Sequence, residues 1–97
     1  MSKSQRRKGQ EREREFARAI GGRRVPLSGA SEGYPGDVVG LGLTWEVKVR
    51  ADGNGFKQLY GWLEGVDALA VRADRRGWLV VLPLEVLLAL IGNPVQS

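Results

Sequence analysis

Apolar side chains recur along this chain with two different periods, and the switches between them divide it into elements. Residues 10–20 contain no Gly or Pro; there Phe16, Ala17 and Ile20 stand three, four and seven positions after Glu13, which is helical spacing, and Gly21-Gly22 supplies a stop. Residues 43–50 alternate instead, with Leu43, Trp45, Val47 and Val49 set against Thr44, Glu46, Lys48 and Arg50, as in a strand with one apolar and one polar face. Residues 23–27 and 37–39 read as two further short strands, separated by a loop-forming run over 28–36. Phe56, Leu59, Tyr60 and Leu63 return to helical spacing before Gly65. Strands over 68–73 and 78–82 flank a hairpin turn at 74–77, and a last helix opens at Pro83 and closes at Gly92 and Pro94. The order αβββαββα predicts an α/β fold, a mixed β-sheet flanked by helices.

Two consequences of this pattern bear on chemistry. If Leu41-Gly42 forms a two-residue hairpin turn, Gly40 faces Leu43, Val39 faces Thr44 and Asp37 faces Glu46, so that Asp37, Glu46 and Lys48 project from one face. Glu13 lies in line with the only stripe of the first helix that can face a core. A carboxylate there needs a partner, because burying its charge alone is costly. An arginine or a cation would serve.

Composition narrows the possibilities. The 97 residues include neither Cys nor His. That excludes a disulfide framework, a thiolate nucleophile, an imidazole base, a Ser-His-Asp triad and the usual zinc sites. Catalysis would have to rest on carboxylates, Lys, Arg, hydroxyls or a hard cation. The length fits one domain, expected over residues 10–97 behind a basic, flexible head at 1–9. Residues 1–24 carry nine basic and three acidic side chains, whereas 25–97 carry six and eight. Such asymmetry points to a polyanionic partner, most simply nucleic acid, or else to a solvated basic tail. Neither an apolar signal core nor a membrane span is evident, so a cytoplasmic location without membrane contact is expected.

Asp37 and Glu46 are two carboxylates on neighbouring predicted strands, a donor pair suited to Mg²⁺, which takes oxygen ligands, keeps several waters and completes its shell with substrate phosphate. Lys48, two positions after Glu46 and on the same face, can orient a water or counter charge on the phosphate. The three together suit metal-assisted phosphodiester hydrolysis. The same residues also suit the solvent face of an amphipathic strand, with Asp37 capping a turn.

Four segments in order resemble the PD-(D/E)XK nuclease superfamily, and within it the archaeal-type Holliday junction resolvases, a phage-encoded version included. Lys8-Gly9-Gln10-Glu11-Arg12-Glu13-Arg14 is similar to the family's opening motif and Arg24-Val25-Pro26-Leu27-Ser28-Gly29 to its Arg-x-Pro-x-Ser-Gly loop. Asp37 looks like the metal-site aspartate and Glu46-Val47-Lys48 like its Glu-x-Lys. Two features depart from the family: Gly36 separates Pro35 from Asp37, and the chain after Lys48 is short.

The resemblance implies a restriction-endonuclease-like core. It further implies Mg²⁺, or Mn²⁺, held by Asp37, Glu46 and the Val47 carbonyl, with Glu13 a ligand through water or at a second position, Lys48 beside the nucleophilic water and Ser28 near the scissile phosphate. Arg7, Lys8, Arg14 and Arg24 would contact the DNA backbone. The expected activity is resolution of four-way DNA junctions by paired nicks. The alternatives are an endonuclease of the same superfamily acting on duplex, flap or single-stranded DNA, and a non-catalytic DNA-binding module. Leu84, Val86, Leu87, Leu88, Leu90 and Ile91 point in almost every direction around the last helix. One small domain cannot cover them all, so a homodimer through that helix is expected.

Overall fold

The computed structural model describes residues 3–25 and 36–92, and the chain divides into two compact units, Met1–Val49 with Val95–Ser97 and Arg50–Pro94. The elements follow the expected order: α1 (Lys3–Ile20), β1 (Arg23–Arg24), β2 (Val38–Gly40), β3 (Leu43–Trp45), α2 (Lys57–Leu63), β4 (Leu69–Val71), β5 (Leu79–Val81) and α3 (Leu84–Ile91). The molecule is thus a small mixed α/β protein. Among the described residues its strands form two antiparallel sheets, β1-β2-β3 and β4-β5, in place of the single mixed sheet expected from element order. Each ladder closes through an antiparallel pairing of short strands, and none of them is parallel.

In the first unit, α1 starts well upstream of the predicted boundary and stops where Gly21-Gly22 predicts. Gly21 takes a positive φ of 70°, the Gly21 N–H donates to the Arg18 carbonyl, and the Gly22 N–H donates to the Ala17 carbonyl at 2.8 Å. These are the paired bonds of a Schellman ending. The chain then turns directly into β1. Gly22 must be glycine here, because a Cβ at that position would collide with the Val39 carbonyl oxygen, and one at Gly40 would meet Ile20 Cδ1 at 2.6 Å. This glycine crossing lets the last turn of α1 lie against the hairpin. The core that results is small, comprising Ala17, Ile20, Val25 and Val38. Phe16 meets Trp45 edge to face with ring centroids 5.2 Å apart, and the indole Nε1 donates to the Gly40 carbonyl at 3.0 Å.

The β2–β3 hairpin has the expected two-residue turn and register, with Gly40 opposite Leu43, Val39 opposite Thr44 and Val38 opposite Trp45. Leu41 and Gly42 both have positive φ, 57° and 75°, which a type I′ turn requires. The ladder then breaks, and the predicted strand over 43–50 is paired only as far as Trp45. The cause is Gly36, at φ 87°, whose missing Cβ would stand 2.8 Å from the Trp45 carbonyl oxygen. The chain bends there, and β2 offers no further backbone for residues 46–50 to pair with.

In the second unit, an Asx turn in which the Asn54 N–H donates to Asp52 Oδ1 leads toward α2. The β4–β5 hairpin pairs Leu69 with Val81, Ala70 with Val80 and Val71 with Leu79. Pro83 precedes α3 in extended conformation, and Gly92 ends it at φ 71°. Neither α2 nor α3 has a fully buried residue.

Candidate metal and nucleic-acid site

Asp37 sits where the ladder fails. Its N–H donates to the Trp45 carbonyl, and its own carbonyl accepts the Val25 N–H at 2.9 Å, which ties it to both neighbouring segments. Its side chain completes the junction: the Val47 N–H donates to Asp37 Oδ2 at 2.9 Å. Had the hairpin register continued, that N–H would have met the Gly36 backbone, and the bend at Gly36 substitutes a carboxylate for a peptide acceptor. Thus the Gly-Asp and Glu-Val-Lys segments meet, although Asp37 is not paired across the ladder with Glu46 as expected.

Glu46 and Lys48 flank Val47 and are exposed, and Lys48 Nζ lies 3.3 Å from Glu46 Oε2. Both project away from α1. Val38 is buried beneath α1, Trp45 packs on Phe16 of that helix, and the alternation of exposure past Trp45 puts Glu46 and Lys48 on the other face.

Glu13 has a different environment. Arg24, in register with Val38, lies on the helix-facing side of the sheet, and its Nε donates to Glu13 Oε1 at 2.9 Å with both side chains largely covered. The carboxylate on the inward stripe of α1 therefore has an arginine as its partner. Sequence reasoning placed Arg24 on DNA and missed this pairing. The available signal was the need of Glu13 for a partner; which of the nearby arginines supplies it is decided only by the β1–β2 register.

Arg7, Lys8 and Arg14 are exposed on α1, together with Arg18. Ser28 and the rest of the Arg-x-Pro-x-Ser-Gly segment beyond Val25 lie outside the described residues.

The donor set suits a magnesium ion of low protein coordination. Asp37 uses one oxygen for the Val47 N–H and retains a second, Glu46 is accessible, and the Val47 carbonyl is an additional hard donor. An exposed Glu–Lys pair is weak enough for a divalent ion to displace. A cage of three or more acidic side chains is not present among the described residues. Mg²⁺ needs only one or two carboxylates when phosphate and water complete its shell.

No family model, curated protein or solved structure matches the chain. Among the described residues no helix is long and apolar enough to cross a membrane.

Proposed function

We propose that the chain is a Mg²⁺-dependent endodeoxyribonuclease acting on branched DNA, four-way junctions foremost, through Asp37, Glu46 and Lys48 on a restriction-endonuclease-like arrangement. The observation that carries this reading is the Asp37–Val47 hydrogen bond, which joins the two motif segments on either side of the hairpin turn. Asp37, Glu46 and the Val47 carbonyl would hold the ion, whose chemistry is Lewis-acid stabilisation of charge on the phosphate. Lys48, paired with Glu46, would supply a positive charge for the attacking water or the phosphate. Glu13 acts through Arg24, fixing the β1 edge rather than binding the ion. Arg7, Lys8 and Arg14 supply backbone contacts that confer affinity without sequence preference. The branched substrate rests on the resemblance of the four motif segments alone. The homodimer rests instead on the apolar last helix, where α3 offers exposed Leu90 and Ile91.

The decisive experiment compares cleavage of a four-way junction and of linear duplex of the same sequence, with Mg²⁺ and with EDTA. Asp37→Asn is the sharpest variant, since an amide oxygen still accepts the Val47 N–H while the charge is lost. It is expected to lower the cleavage rate about 100-fold or more with junction binding retained. Glu46→Gln and Lys48→Ala should behave alike. Wild-type rates in all three would defeat the assignment.

A second reading, a DNA-binding module without catalysis, is favoured by the mutual pairing of Glu46 with Lys48 and of Glu13 with Arg24. Salt-sensitive binding with no metal-dependent cleavage of junction, flap, duplex or single strand would decide for it.

A further inference from the structure

Within the second unit, an open groove of about 650 Å³ is lined by Trp62, Leu69, Ala70, Val71, Arg72 and Trp78. Continuing the β4–β5 register by one position places Arg72 opposite Trp78, and the Arg72 guanidinium lies 5.1 Å from the centroid of that indole. Alternation puts Ala70 on the same face as Arg72, so a methyl group is the neighbour of the Arg72–Trp78 pair on β4. Trp62 from α2 supplies a second indole. Both tryptophans are more than half exposed, an unusual position for the largest apolar side chain.

Charge argues for what this groove takes. The loop between β4 and β5 carries Arg75 and Arg76 against one acid, Asp74, so two further cationic groups stand in the turn that leads into Trp78. An apolar peptide would match the tryptophans but not the arginines. Unpaired nucleotides match both, since a base stacks on an indole face and its phosphate meets a guanidinium. A paired duplex would leave the indoles idle, because its base faces are already stacked.

We propose that Trp62, Trp78 and Arg72 form a binding site for unpaired bases of single-stranded nucleic acid. It deepens the nuclease reading by giving the chain a means to prefer branch points with open bases, but it depends on no residue of the metal site. The test is fluorescence anisotropy of the full chain with labelled oligo-dT and with a blunt two-stranded duplex that has no unpaired bases, in EDTA. Trp78→Ala and Trp62→Ala are each expected to weaken oligo-dT binding about tenfold with duplex binding unchanged, and Trp78→Phe to retain most of it.

Equal oligo-dT affinity in wild type and both alanine variants would overturn the proposal. So would equal loss on both ligands, or a concentration-dependent self-association that Trp78→Ala abolishes while oligo-dT binding persists. Circular dichroism melting of the variants identifies any loss caused by unfolding, and Trp78→Phe then serves as the deciding variant against Arg72→Gln. Because cleavage is silent in EDTA, the two readings fail separately. Oligo-dT binding through Trp78 without any nuclease activity retains the groove and removes the metal site, whereas cleavage without a Trp78 effect does the reverse.

Discussion

The Glu13–Arg24 pair shows how one residue's surroundings change its meaning. A free carboxylate on the inward face of a helix would be a candidate ligand; one held 2.9 Å from a guanidinium is a bridge between α1 and β1. The pair is largely but not fully covered, so its loss is intermediate between that of exposed and buried ion pairs. Arg24→Met is expected to destabilise by about 1–2 kcal/mol, because the largely covered Glu13 carboxylate is left without its partner. Adding Glu13→Gln should recover part of that loss. Urea denaturation of the two single variants and the double variant measures the coupling, and strictly additive losses would show that the two groups do not interact.

The inward position of Glu13 was legible from its spacing to Phe16, Ala17 and Ile20. Its partner was not, since a sequence does not announce which of several arginines a strand register will deliver. Asp37 was legible as a residue that matters, but its bond to Val47 follows from a backbone bend at Gly36 that periodicity does not encode.

At the scale of elements, the β2–β3 hairpin turn was the most readable feature, and it carries backbone strain. A type I′ turn needs positive φ at both central residues, and Leu41 occupies the first of these at 57°. Leucine pays for that conformation in steric crowding that Asn avoids. Leu41→Asn is expected to stabilise the protein by about 0.5–1 kcal/mol, raising its thermal midpoint by a few degrees, even though an apolar side chain is lost. A lowered midpoint would mean that packing of Leu41 outweighs the turn.

Strand lengths were less legible. The alternation through Val49 predicted a long strand, yet a ladder is only as long as its shorter partner, and β2 spans three residues. The separation of the strands into two sheets was not legible either. Hydrophobic alternation states which face of a strand is apolar but not which strand lies beside it.

At the scale of the whole molecule, charge is sorted between free and committed groups. Residues 1–24 carry most of the excess positive charge, and within them Arg24 is neutralised by Glu13 while Arg7, Lys8 and Arg14 stand in solvent. Binding to DNA arms should therefore weaken linearly on a log–log plot against salt. Arg7→Gln, Lys8→Gln and Arg14→Gln should each reduce the slope by about 0.9, and Arg24→Gln should leave it unchanged. An Arg24 variant that alters the slope as much as Arg14 would show that the Glu13 bridge opens on DNA.

The course of α1 gives this sorting a physical length. Among the described side chains of α1 only Ala17 and Ile20 are fully buried, with Glu13 and Phe16 also turned toward the sheet, so the helix is anchored through its C-terminal half. Arg7, Arg14 and Arg18 fall within a narrow angular band on the side away from Ile20, since seven and eleven residues are close to two and three whole turns. At 1.5 Å per residue that row is about 16 Å long. It is a row of fixed span, and on the proposed DNA partner it would match about five steps of a duplex at 3.4 Å each, measured from the glycine crossing of Gly22 and Gly40. Inserting one residue between Arg7 and Arg14 would rotate Arg7 by about 100° and take it off the row, without adding or removing a single charge.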